Sequence, residues 1–143
     1  MQKVHFYFLD RKPVLKERTT LKLFIENIFL LEKKKLSNLS YIFCSDKYLL
    51  DINKEFLKHD YYTDVITFDL SSPNNEIEGE IYLSVDRIKE NAKAEGVSFK
   101  EEICRVIFHG ALHLCGYKDK KRVDIIEMRD LEEKYLKRFF KQE

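Results

Sequence analysis

The chain has 143 residues, 44% of them apolar, with 11 Phe and 8 Tyr, enough for one domain with its own core and too many for a disordered tail. Its 26 basic and 25 acidic side chains leave a net charge of +1, so global charge gives no sign of a nucleic-acid partner. Cys44, Cys104 and Cys115 are odd in number and form no C-x-x-C pair, which fits free thiols in a reducing cytoplasm.

Val4 to Leu9 reads as an aromatic-rich strand. The apolar stretch ends at Asp10-Arg11-Lys12, which is not the pattern of a signal peptide. Thr19 or Thr20 is placed to cap a helix carrying Leu21, Phe24, Ile25, Ile28, Phe29 and Leu31 at helical spacing. That run contains Lys22 and Glu26 and is too short to span a bilayer, so no membrane association is expected. Leu39 to Cys44 is a second strand, and Ser45 or Asp46 caps a helix running through Leu57. Val65 to Leu70 is a β-branched third strand, Ser71 to Glu78 a polar turn, and Glu80 to Ser84 a fourth strand. Asp86 to Glu95 is helical and stops at Gly96. Ser98 opens the next helix, with Glu101 three residues on as a capping box. Val123 to Phe140 is a last amphipathic helix. No repeat, linker or low-complexity stretch interrupts this order, which predicts one domain over residues 1–143. Its class is α+β, a single four-stranded sheet packed with about five helices.

The chemistry is concentrated in FHGALHLCGYKDK. His109 and His113 stand four apart, with Gly116 three further on and Asp119 three after that. Positions i and i+4 lie on one helix face, so both imidazoles reach a single metal ion. A glycine lets the chain leave the helix at positive φ, and the turn swings Asp119 back as a third ligand. Three protein ligands with an open fourth position make a catalytic rather than a structural zinc site. The spacing is that of the metzincin zinc helix H-E-x-x-H-x-x-G-x-x-H, with Gly110 in place of the glutamate and Asp119 in place of the last histidine. That glutamate is the general base of a peptidase, and glycine cannot accept a proton. A glycine inside a helix also costs about 1 kcal/mol against alanine, so position 110 either needs close backbone approach or makes room for a packed neighbour. Around the helix, Ile103, Ile107, Ala111 and Leu114 share one arc and Phe108, Leu112 and Cys104 another. His109 and His113 occupy the remaining gap, with Glu102 and Arg105 on the turns before them: a core helix opening onto a cleft. Cys115 is a conceivable soft ligand but reads better as a small packed residue.

Three blocks of the chain resemble the YbeY family of metal-dependent endoribonucleases. His109, Gly110, Leu112, His113, Leu114, Gly116 and Tyr117 match its zinc motif. Asn53, Phe56, Thr63, Asp64, Val65 and Phe68 match its middle block, and Gly79 to Ser84 (GEIYLS) the strand after it. The chain departs from the family at Asp119, where the third histidine is expected, and at Lys118, Tyr62 and Leu57, where aspartate, proline and arginine are expected. The resemblance implies a zincin-like metal-dependent hydrolase with one zinc ion on His109, His113 and Asp119. A carboxylate ligand widens the choice to manganese or iron. It implies a cytoplasmic, single-strand-specific endoribonuclease acting in 16S rRNA 3′-end maturation and ribosome quality control. Single-stranded RNA, the ribosome, and ribosomal proteins or a GTPase are the partners it implies. The lost arginine leaves the catalytic cations open: Lys58, His59 and Arg105 are candidates to line the metal cleft, with Lys118, Lys120 and Lys121 the next in line.

Three other readings stay open on the residues alone. One is a metallopeptidase or other metal hydrolase drawing its base from Asp64 or Glu102. Another is a non-catalytic, metal-stabilised module that binds the ribosome. A third is a two-histidine, one-carboxylate iron oxygenase, although its ligands usually come from separate strands.

Overall fold

The computed structural model describes residues 2–73 and 76–142. In chain order the elements are β1 (Val4–Phe8), α1 (Arg18–Leu31), β2 (Leu36–Cys44), α2 (Asp46–Leu57), β3 (Val65–Asp69), β4 (Ile77–Ser84), α3 (Val85–Glu95), α4 (Phe99–Leu114) and α5 (Arg122–Gln142). Local chemistry accounts for most boundaries. Ser45, Ser84 and Ser98 each accept a hydrogen bond from the backbone N–H three residues on, capping α2, α3 and α4. Gly96 ends α3 at φ 70°. The Glu101 carboxylate, expected to reach back to Ser98, faces Arg105 at 3.6 Å instead.

Beyond shifts of one or two residues at other ends, three starts differ from expectation. α1 starts at Arg18, ahead of both threonines, because Glu17 enters it in the left-handed region (φ 55°) with no side-chain cap. β2 and β4 each begin three residues earlier than their β-branched and aromatic runs suggest, since Leu36 pairs with Ile77 and extends the ladder. Of the turn expected over residues 71–78, Asn74 and Asn75 lie outside the described residues.

The four strands form one sheet in the order β1-β2-β4-β3. β1, β2 and β4 run parallel, joined by helical crossovers, and β3 pairs antiparallel with β4. The main core fills the face under α1, α4 and α5, where Phe24, Phe108 and Phe139 meet with ring centroids 5.1 to 5.9 Å apart. A smaller cluster of Cys44, Leu49, Ile52 and Ile66 involves α2. With helices on both faces, β2 is buried almost throughout from Leu39.

α4 is the helix that matters for function. Eight of its apolar side chains, among them Ile103, Ile107, Phe108 and Leu112, are buried, and its Ile107 carbonyl accepts from Tyr41 Oη of β2 at 2.8 Å. It lies so close to β4 that a Cβ on Gly110 would come within 2.7 Å of Ile81 Cδ1. The mirror contact holds at Gly79, where a Cβ would meet Leu114 Cδ1 at 2.7 Å. Two glycines therefore set the helix-to-sheet distance. Among the described residues no helix is long and apolar enough to cross a membrane.

Candidate metal centre and its cleft

His109 and His113 sit one turn apart on α4 with ring centroids 4.5 Å apart and planes at 90°. After Leu114 the chain turns sharply. Gly116 takes φ 110°, a conformation L side chains rarely adopt, and Tyr117 N–H closes the helix end on Leu112 O at 3.1 Å. The turn returns Asp119 to the helix, with Oδ2 at 3.2 Å from both His109 Nε2 and His113 Nε2. One donor atom from each of the three lies within 4.8 Å of the others.

The other ring nitrogens are also fixed. His109 Nδ1 lies 2.6 Å from Glu132 Oε2, and His113 Nδ1 lies 2.9 Å from the Tyr117 carbonyl. A carboxylate and a carbonyl only accept, so the tautomer with the proton on Nδ1 satisfies both outer partners and leaves each Nε2 lone pair for a cation shared with Asp119. This is the support that metal-bound histidines receive from outer partners. Two such imidazoles and one carboxylate fit a divalent cation of borderline softness. Burial alone would lower the His109 pKa, but the hydrogen bond and charge of Glu132, with Asp119 and Asp64 behind them, raise it overall.

Glu132 of α5 was not among the residues that the sequence singled out. It is 5% exposed and shares the apolar stripe of α5 with Met128, Tyr135, Leu136 and Phe139. An acidic residue on an apolar stripe was the available signal.

The trio opens into a cleft of about 1060 Å³. Asp64, on the turn into β3, lines it, and burial pushes its carboxyl above the usual range against its own backbone hydrogen bonds and His109. Glu102, one turn into α4, is also on the wall. Burial first, then the neighbouring Glu95, pushes its pKa to about 7, with Arg105 opposing.

Of the three cationic candidates, His59 and Arg105 line the cleft and Lys58 is not among its lining residues. Lys58 ends α2 in the left-handed region (φ 59°), and its Nζ donates to Glu55 O at 3.2 Å. Arg105 is already held by carboxylates: Glu101 at 3.6 Å, Glu102 at 3.7 Å, Glu132 at 3.4 Å and Glu133 at 2.5 Å. Lys120 also lines the cleft. Cys115 stays in the core, where burial pushes its thiol up to about 12. Position 110 faces Ile81 and not the cleft, so Gly110 is explained by helix-to-strand packing.

Comparison with known proteins identifies relatives of the whole fold. The family model described as endoribonuclease YbeY matches residues 10–140. The endoribonuclease YbeY of Cytophaga hutchinsonii is 47% identical over 117 residues, 82% of each chain. That of Flavobacterium psychrophilum is 46% identical over 125 residues, covering 87% of this chain and 89% of its own. The solution structure of TM1509 from Thermotoga maritima superposes with a TM-score of 0.63 at 27% identity, over 96% of this chain and 90% of that one. A match running from just after β1 into the last turn of α5, across every element that builds the cleft, means that the chain belongs to the YbeY family of endoribonucleases.

Proposed function

We propose that the chain is a metal-dependent endoribonuclease that holds one zinc ion on His109, His113 and Asp119 and cuts single-stranded RNA. Its proposed role is 3′-end maturation of small-subunit rRNA and ribosome quality control. The ribosome, ribosomal proteins or a GTPase are its proposed partners. The observation that carries the reading is the convergence of two Nδ1-anchored imidazoles and Asp119 Oδ2 inside an open cleft, in a chain of this family.

When bound, the cation supplies Lewis-acid stabilisation of phosphoryl charge and activation of water. The chain supplies the rest. Glu132 and Tyr117 O hold the imidazole tautomers, and the Gly116 turn sets the carboxylate. Glu102, whose pKa burial raises to about 7, is a cleft group able to take or give a proton near neutral pH, and burial shifts Asp64 in the same direction. Nothing at position 110 can act as the base of a peptidase, which favours phosphodiester over peptide cleavage.

The test is elemental analysis of the purified protein followed by incubation with single-stranded RNA and with casein. One equivalent of zinc and RNA cleavage abolished by chelator are expected, with casein intact. Metal is lost on acidification, because only neutral imidazole coordinates. Cells lacking the protein should accumulate immature small-subunit rRNA ends. Casein cleavage, or metal-loaded protein that leaves RNA whole, would overturn the reading.

A further inference from the structure

The cleft is poorly equipped to hold a polyanion by charge. Among the described residues lining it, six are carboxylates and three are permanent cations, Arg105, Lys120 and Arg129. Arg105 is surrounded by four carboxylates, and Arg129 lies 3.8 Å from both Glu95 and Glu132. Affinity for a nucleic acid must therefore come largely from something other than salt links.

One wall offers that alternative. The segment from the end of α2 into β3 carries four large apolar side chains that no core covers: Phe56 is 62% exposed, Leu57 39%, Tyr61 52% and Tyr62 54%. Leu57, His59 and Tyr61 line the same cleft as His109, His113 and Asp119. The His59 and Tyr61 rings lie 5.1 Å apart, joined by a 3.0 Å hydrogen bond between Tyr61 Oη and His59 Nδ1. The loop is held from beneath by buried Asn53. Its Nδ2 donates to Tyr61 O at 2.9 Å, and its carbonyl accepts from His59 N–H at 3.1 Å. The aromatic pair is thus exposed, fixed by its backbone and continuous with the metal centre.

We infer that His59 and Tyr61 form a stacking platform for an unpaired nucleobase of the RNA strand that enters the metal cleft. The inference rests on the RNA reading above and adds how the strand is held. Every base has a π-face, so the platform tolerates any sequence. Bases in a duplex are already stacked, so it selects single strands. Leu57 and Phe56 beside it extend the apolar surface available to neighbouring bases.

The experiment uses the metal-loaded protein and a single-stranded oligoribonucleotide with 2′-O-methyl sugars and 2-aminopurine as reporter. The expected result is quenching of the reporter on binding. Tyr61→Leu should bind roughly tenfold more weakly and lose the quench, while Tyr61→Phe should keep both. An oligonucleotide with abasic sites should bind the parent and Tyr61→Leu alike. The salt dependence of binding should be the same in parent and Tyr61→Leu, because no charge is removed. Quenching and affinity unchanged in Tyr61→Leu, with the variant folded by circular dichroism, would overturn the platform while leaving the RNA reading intact. If the parent bound no RNA of any kind, the RNA reading itself would fall, and the platform with it.

Discussion

Glu132 holds two cleft groups at once. Its Oε2 fixes His109 and its Oε1 lies 3.4 Å from Arg105. Glu132→Gln should keep an acceptor for Nδ1–H but lose the charge, and zinc affinity should drop roughly 10- to 100-fold in a chelator competition. Unchanged affinity would make Glu132 a partner of Arg105 alone. Asp119→Ala should leave two protein ligands and empty the site, whereas Asp119→His keeps a donor of similar reach and should retain metal. Equal metal content in the alanine variant and the parent would point to another cleft carboxylate such as Asp64 instead. Glu102 tests the electrostatics of the wall. Its folded pKa is raised from 4.5 to about 7, so the folded state binds the extra proton between those values. Stability from this group is fully present below pH 4.5 and lost as pH rises through about 7. Glu102→Gln should therefore stabilise by about 1–2 kcal/mol at pH 8 and change little at pH 4, read from thermal melts at both. The spacing of His109, His113, Gly116 and Asp119 was legible because a helix and one turn bring them together. Glu132, Glu95 beside Glu102, and Tyr61 beside His59 were not, because only tertiary packing places them on the same cleft.

At the scale of elements, the contact between α4 and β4 decides what the helix can carry. Gly110→Ala would gain about 1 kcal/mol of helix propensity but press a Cβ into buried Ile81, an overpacking cost of about 1–3 kcal/mol. A net loss of about 1 kcal/mol is expected from denaturant unfolding. Ile81→Val removes the Cδ1 that would be nearest, so the double variant should lose less than the sum of the singles. Simple additivity would mean the helix moves as a body instead. All nine elements of the described residues were legible in type, since their caps and periodicities are local. The ends that were missed depend on partners: β2 and β4 lengthen because Leu36 finds Ile77, and α1 starts on an uncapped Glu17 that no propensity favours.

Across the whole molecule, one carboxylate joins three distant parts of the chain. Glu32, at the end of α1, accepts from Tyr117 Oη at 2.6 Å and from Tyr135 Oη of α5. Tyr117 belongs to the turn that delivers Asp119, so this knot ties the site to the helical layer. Glu32→Ala should cost about 1–3 kcal/mol in chemical denaturation, chiefly by stranding the buried Tyr135 hydroxyl. It should also weaken zinc binding; intact affinity would show that the turn holds its shape alone. Neither this knot nor the strand order β1-β2-β4-β3 was legible in the sequence, since both depend on long-range pairing. The close seat of α4 on its sheet has a further consequence for redesign. A zincin peptidase needs its glutamate at position 110, and in this chain that direction is filled by Ile81. Installing the base would mean making room in β4 and then rebuilding the helix contact, changes that have to be made together. The obstacle to a peptidase base at position 110 is the strand packed against that side of the helix, so a campaign to install one must begin in the sheet and not in the metal site.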